Sequence, residues 1–101
     1  PRISHRSQTV RCPWTIKGAL MRYLVEAHSP DELELIDGVK VLDRHRDSWV
    51  LILPDAGEPL VHIFANSDDR EWTDEKLREY RARVQSFISK EQGLHEVEAQ
   101  L

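Results

Sequence analysis

Hydrophobic residues follow two spacings along the chain, and the changes between them predict the order of the elements. Gln8 to Cys12 alternates polar and apolar residues and predicts a first strand, which Pro13 ends because proline removes a ladder donor. From Trp14 to His28 apolar residues recur every three or four positions, which predicts an amphipathic helix that Ser29-Pro30 stops. Gly18 lies inside this helix, and we expect it to permit close packing against a sheet.

Four apolar runs follow, at residues 33–36, 39–42, 49–53 and 60–65. The first is a short strand or a lead-in, and Asp37-Gly38 after it is a strong tight-turn signal. The run at 49–53 shows no alternation, which predicts a strand that is buried on both faces or central in the sheet. Short polar turns between the runs predict antiparallel pairing.

A second helix is predicted near the C-terminus, with Thr73 as its N-cap and acidic residues in its first turn. Gly93 predicts the end of this helix, and residues 94–101 are expected to fray. Its apolar face consists of Leu77, Tyr80, Val84, Phe87 and Ile88. The element order predicts an α+β fold in which two helices pack on one face of a four-stranded antiparallel sheet.

Length and composition limit the classes of protein. The 101 residues suffice for one core but not for two. Residues 1–6, which start with a proline, are interpreted as the end of a linker, residues 7–92 as the domain and residues 93–101 as a tail, so a longer parent chain is expected. The net charge of −4 argues against nucleic-acid binding, and no apolar run approaches the roughly 20 residues that span a bilayer. With one cysteine and no signal-peptide pattern, a cytoplasmic location is expected.

Catalytic and metal-binding constellations are not predicted. The five histidines lack metal-ligand spacing, and no nucleophile, histidine and acid can be placed together. Cys12 is expected to be a buried apolar residue, and the acidic segment 68–71 a solvated lead-in to the second helix. Trp49 and Phe64 could stack on RNA bases, but the glycine-aromatic signature of such modules is absent and the charge is unsuitable, so we expect core packing.

The segment 53–59, Leu-Pro-Asp-Ala-Gly-Glu-Pro, lies where a strand must break, turn and start again. Pro54 restricts the backbone, and Ala56-Gly57 allows backbone N–H groups to approach an anion closely. This signal is weak by itself, because many hairpin loops share it.

Taken in order, the segments resemble the C-terminal domain of the α-D-phosphohexomutases, the phosphomannomutase and phosphoglucomutase family. The resemblance covers roughly residues 7–91 and implies a fold like that of the TATA-box-binding protein. The matching motifs are Asp37-Gly38-Val39-Lys40-Val41, Trp49-Val50-Leu51-Ile52, Pro54, Glu58-Pro59-Leu60 and Phe64-Ala65. The chain is most similar to the variant carried by fusions of a mannose-1-phosphate guanylyltransferase with a phosphohexomutase-like region. That closer likeness rests on Cys12-Pro13-Trp14, Lys17-Gly18, Met21-Arg22, Leu53-Pro54-Asp55 and His62.

The resemblance implies that the parent handles sugar phosphates or nucleotide sugars, with this domain closing over a ligand held by the other domains of the chain. The family's Mg and its phosphoryl-carrying serine belong to another domain, so no cofactor and no catalytic residue are expected here. The isolated domain is therefore not expected to be an enzyme.

The phosphate-gripping residues of the family have been replaced in this chain. The resemblance places its loop arginine on Leu53, serine on Asp55, glycine on Ala56 and threonine on Gly57, and a strand arginine on His62. The family glutamate that follows this strand arginine falls on Asn66, while Pro54, Glu58 and Pro59 are retained. A hydrogen bond to a charged group contributes about 1.5–3 kcal/mol, so the losses together are on the order of 3–6 kcal/mol, or roughly a hundred- to ten-thousandfold in affinity.

Three hypotheses follow. The domain carries a degenerate clamp; or it is a working closing domain in which Arg44, Arg46 or His62 replaces the missing arginine; or it is a structural or oligomerisation module. The loop substitutions favour the first, with the second close behind.

Overall fold

The computed structural model describes residues 3–100, with side chains described from residue 3 to residue 94. Its strands are β1 (Ser4–Arg11), β2 (Leu33–Glu34), β3 (Val39–Asp43), β4 (Ser48–Pro54) and β5 (Leu60–Ser67), and its helices are α1 (Trp14–Glu26) and α2 (Arg70–Gln100). A 3-10 turn, Pro30–Glu32, precedes β2. The predicted α+β class is confirmed. The sheet has five strands rather than four, because the run at 33–36 contributes a two-residue strand.

All strand pairs are antiparallel, in the spatial order β1-β5-β4-β3-β2. Alternate residues of the central strands are fully buried, such as Ile52 on β4 and Ile63 on β5. They form one core with residues from both helices, so α1 and α2 pack on the same face of the sheet. The helix residues in this core are Ile16, Leu20, Leu24, Leu77, Tyr80, Val84 and Ile88.

The opposite face of the sheet is not covered by either helix, and this corrects the expectation that Trp49 and Phe64 pack in the core. The run at 49–53 is central in the sheet, which is one of its two predicted placements, and its alternate residues are half-buried on this open face rather than buried on both sides. Trp49 and Phe64 also lie here instead of in the core. Phe64 stacks between the rings of His5 and His62, with ring centroids 6.0 Å away in each case.

Several predicted boundaries were wrong for identifiable reasons. Strand β1 begins at Ser4 rather than Gln8, inside the segment assigned to a linker, because the eight-residue β5 offers a partner to every residue from Ser4 to Arg11. Helix α2 begins at Arg70, and Asp69 rather than Thr73 accepts a first-turn amide, that of Trp72, at 3.3 Å.

The two helical glycines also differ from expectation. Gly93 does not end α2, which continues to Gln100, and Gly93 does not have the positive φ with which a glycine reverses the backbone at a helix end. Gly18 is exposed, and a Cβ placed on it would meet nothing within 4 Å, so it does not serve close packing. Within residues 3–100, neither helix has the length and apolar character needed to cross a membrane.

Candidate functional site

The loop at 53–59 connects the two central strands at one end of the sheet. Its ends are set by strand pairing, which places Leu53 opposite His62 and Pro54 opposite Val61. The connection between β1 and α1 lies against the loop, because Cys12 at its start donates its N–H to the carbonyl of Pro59 at 2.9 Å. A segment that is distant in sequence therefore meets the loop between β4 and β5.

The carboxylate of Asp55 turns back into its own loop. One oxygen, Oδ2, accepts the backbone N–H groups of Gly57 at 2.9 Å and Glu58 at 2.8 Å. The other, Oδ1, lies 2.7 Å from Nε2 of His62. Since an ionised carboxylate only accepts hydrogen bonds, Nε2 of His62 carries the proton in this contact.

These contacts favour the charged form of Asp55. The hydrogen bond from His62 lowers the pKa of Asp55 most, and the amide of Gly57 lowers it further. Burial acts in the opposite direction, and the net result is a pKa below the usual value of 3.8. The carboxylate is consequently ionised at neutral pH.

A lysine binds the carbonyl groups of the same loop. Nζ of Lys17 donates to the carbonyl oxygens of Asp55 and Glu58, at 2.6 Å each. The side chain is buried, and its ammonium group lies 3.7 Å from the centroid of the Trp14 ring, which adds a cation–π contact. Lys17 thus joins α1 to both sides of the turn.

The backbone of the loop is further closed by its own hydrogen bonds. Asp55 donates its N–H to the carbonyl of Leu60 at 3.0 Å, and Leu60 donates to the carbonyl of Glu58 at 2.8 Å. Together with the contacts of the Asp55 carboxylate and the Lys17 ammonium, these bonds provide partners within the chain for several backbone groups of the loop. These groups are the N–H groups of Asp55, Gly57, Glu58 and Leu60 and the carbonyls of Asp55, Glu58 and Leu60. Ala56, Gly57 and Glu58 are nevertheless exposed, so the loop is both internally hydrogen-bonded and accessible to solvent.

The structure brings His62 to the loop but places the arginines elsewhere. Arg44 and Arg46 lie on the β3–β4 connection, at the far end of β4, a separation of about 20 Å along a seven-residue strand. Arg46 is ion-paired there with Asp43 and Asp69, at 3.5 and 3.4 Å. Arg44 and Arg46 are close to the loop in sequence but not in space, because the extended strand β4 separates them from it.

The remaining candidate groups are the thiol of Cys12 and the possible metal ligands. Cys12 is fully buried, as expected, and burial raises the pKa of its thiol, only partly offset by the nearby Lys17 ammonium. In the described part of the chain, no three side chains of His, Cys, Asp or Glu are grouped so as to hold a metal ion.

Sequence reasoning did not identify Lys17 as a loop residue. The sequence did contain an indication of this role, because Lys17 follows Ile16 and precedes Met21 by four residues, close to the apolar face of the helix. A lysine in that position needs oxygen atoms that accept hydrogen bonds from its ammonium group. The sequence could not show which oxygens those were.

Comparison with known proteins relates part of the chain to a probable phosphoglucosamine mutase. No protein-family model matches the chain. The probable phosphoglucosamine mutase of Methanopyrus kandleri is 38% identical over 78 residues, which cover 73% of this chain and 16% of that protein. The chain therefore spans about a sixth of the length of the curated relative that it matches. This match supports the relation to the phosphohexomutase family that the loop and strand motifs indicate.

Proposed function

We propose that the chain is the C-terminal domain of a phosphohexomutase-like protein of sugar-phosphate metabolism, and that its loop at 53–59 is a degenerate phosphate clamp. The observation that carries this proposal is the pair at the entrance to the loop. Leu53 and His62 face each other where the family resemblance implies two arginines, and His62 is already bonded to Asp55.

The chemistry of the loop supports a loss of phosphate affinity. A guanidinium group binds phosphate through two parallel charged hydrogen bonds, whereas the side chain of Leu53 has no donor. Gly57 provides no hydroxyl in place of the family's threonine, and Asp55 brings a negative charge to the position of its serine. Loss of the arginine alone removes at least one charge-assisted hydrogen bond.

We extend the proposal to the fold type and to the parent protein. The fold is proposed to be of the TATA-box-binding-protein type, and the parent to include a nucleotidyltransferase half in the manner of the mannose-1-phosphate guanylyltransferase fusions. Its partners are then the other domains of the same chain, its location the cytoplasm, and any Mg its parent uses lies outside this domain.

A second candidate is a working closing domain, favoured by the position of His62. This imidazole is the one proposed substitute for the arginine that lies at the loop, and its side chain is 30% exposed. A protonated His62 released from Asp55 could donate to a phosphate oxygen.

Calorimetric titration with mannose 1-phosphate distinguishes the degenerate clamp from the working closing domain. We expect the native chain to give no saturable binding, and the variant Leu53→Arg/Asp55→Ser/Gly57→Thr to bind at least about tenfold more tightly, which corresponds to about 1.4 kcal/mol. Saturable binding by the native chain, lost in His62→Ala, would establish the working domain instead. If neither the native chain nor the triple variant binds mannose 1-phosphate, the structural module would be favoured.

A further inference from the structure

We infer that the carboxylate of Asp55 is a built-in occupant of the loop's anion site, which closes the loop to external phosphate. The inference deepens the proposed function, because it concerns the same loop and states what fills it. The missing arginine and threonine explain why phosphate would bind weakly. The internal carboxylate explains why the backbone groups that remain are not available either.

The first support is the direction of the loop amides. A phosphate-binding loop holds its ligand with backbone N–H groups that converge on one oxygen. Here the N–H groups of Gly57 and Glu58 converge on one oxygen of Asp55, at 2.9 and 2.8 Å. Because this oxygen belongs to an ionised carboxylate, it resembles a phosphate oxygen in both charge and acceptor geometry.

The second support is that the carboxylate is held on both oxygens. His62 bonds Oδ1 while the amides bond Oδ2, so the side chain cannot rotate away without losing three hydrogen bonds. Lys17 holds the carbonyls of Asp55 and Glu58 at the same time, which fixes both ends of the turn. The occupant is therefore anchored by α1 and β5 as well as by the loop.

The third support is competition within one molecule. An external phosphate must displace a group whose effective concentration, for a link of a few residues, is on the order of millimolar or more. It must also approach a negative charge that remains nearby after displacement. Restoring hydrogen-bond donors around the loop should then raise its affinity for phosphate only slightly while Asp55 is present.

A carboxylate of Asp55 that occupies the anion site predicts a specific order of phosphate affinities among loop variants. The double variant Leu53→Arg/Gly57→Thr restores two donors and keeps Asp55, whereas the triple variant adds Asp55→Ser. Threonine is sterically acceptable at 57, because a Cβ there would lie 3.8 Å from Oδ2 of Asp55 and the glycine has no positive φ. With inorganic phosphate as the probe, we expect saturable shifts of the 57 and 58 amides in the triple variant only. Equal affinity of the double and triple variants would overturn the inference.

A second measurement keeps the inference testable if neither variant binds phosphate. Amide hydrogen exchange at Gly57 and Glu58 is compared between the native chain and Asp55→Ala, with Asp31→Ala as a control acid outside the loop. We expect exchange at both amides to accelerate at least about tenfold in Asp55→Ala and to stay unchanged in Asp31→Ala. Unchanged exchange in Asp55→Ala would refute occupancy. Accelerated exchange without phosphate binding in the triple variant would retain the occupant and reject the degenerate-clamp proposal.

Discussion

At the scale of single residues, Asp55 and Lys17 act on the same turn through backbone groups of opposite polarity. The carboxylate accepts from amides of Gly57 and Glu58, and the ammonium donates to carbonyls of Asp55 and Glu58. Each charge is thereby satisfied by dipoles of the loop. The loop is held by its own chain where a ligand-binding loop would leave such groups for the ligand.

The lowered pKa of Asp55 predicts how the loop responds to acid. Its pKa in the folded chain lies below the usual 3.8, so the unfolded chain binds more protons in the interval between the two values. The stabilisation by Asp55 is therefore complete above the unfolded pKa and is lost as the pH falls through the folded pKa. NMR titration should show the Gly57 and Glu58 amide shifts moving together with a midpoint below 3.8. A midpoint at or above the usual value would contradict the three hydrogen bonds.

Lys17 should be worth more to stability than an ordinary helix lysine. Lys17→Met leaves the carbonyls of Asp55 and Glu58 without their charged donor, which should lower the free energy of unfolding by about 1.5–3 kcal/mol. Urea unfolding measures this change. Arg22→Met, an exposed position on the same helix, should change stability by no more than about 0.5 kcal/mol. Equal losses of unfolding free energy in the two variants would show that the hydrogen bonds of Lys17 to the loop do not stabilise the fold.

At the scale of elements, two glycines should respond to alanine in opposite directions. Gly18 lies in α1 with open space around it, so Gly18→Ala should stabilise the chain by about 1 kcal/mol through helix propensity. At Gly38 a Cβ would lie 2.5 Å from the carbonyl oxygen of Ile52, so Gly38→Ala must displace backbone and destabilise. Thermal unfolding of both variants distinguishes the two effects, and a loss of stability in Gly18→Ala would show an unrecognised packing role.

The start of α2 gives a second prediction at this scale. Asp69 accepts the N–H of Trp72 and is ion-paired with Arg46, so Asp69→Ala should cost about 0.5–2 kcal/mol. Asp47→Ala, an exposed position on the β3–β4 connection, serves as the control. An unfolding free energy that is equal in the two variants would argue against Asp69 as the cap.

Periodicity in the sequence predicted most of these elements because helices and strands bury residues at characteristic spacings. The α1 helix follows such a spacing, whereas the run at 49–53 shows no alternation and is predicted as a strand from its continuous apolar residues. The pattern could not show that Asp69 caps α2 ahead of the equally suitable Thr73, which is instead fully buried and hydrogen-bonded to Ser4. It also could not show that Trp49 and Phe64 lie on the open face, since an apolar strand residue looks alike on either side.

At the scale of the whole molecule, both helices lie on one face of the sheet and the loop lies at one end of its central strands. The site residues come from α1, the loop and β5, so the loop is stabilised by the same packing that forms the core. The sequence resemblance predicts the position of the loop and the replacement of its phosphate-binding side chains, and the structure shows that residues 55–59 connect β4 and β5. The resemblance could not predict the hydrogen bonds of Lys17, because they join residues far apart in sequence. It could not predict those of Asp55 either, because they depend on the rotamer of its side chain.

The most direct test of the central claim is a titration of the native chain with inorganic phosphate, followed by backbone amide shifts of residues 55–60. Chloride at the same ionic strength provides the control. If Asp55 closes the loop, phosphate and chloride should give the same spectra up to millimolar concentrations. Saturable shifts at Gly57 and Glu58 with phosphate alone would show that the loop still binds an external anion, and would contradict both the degenerate clamp and its internal occupant.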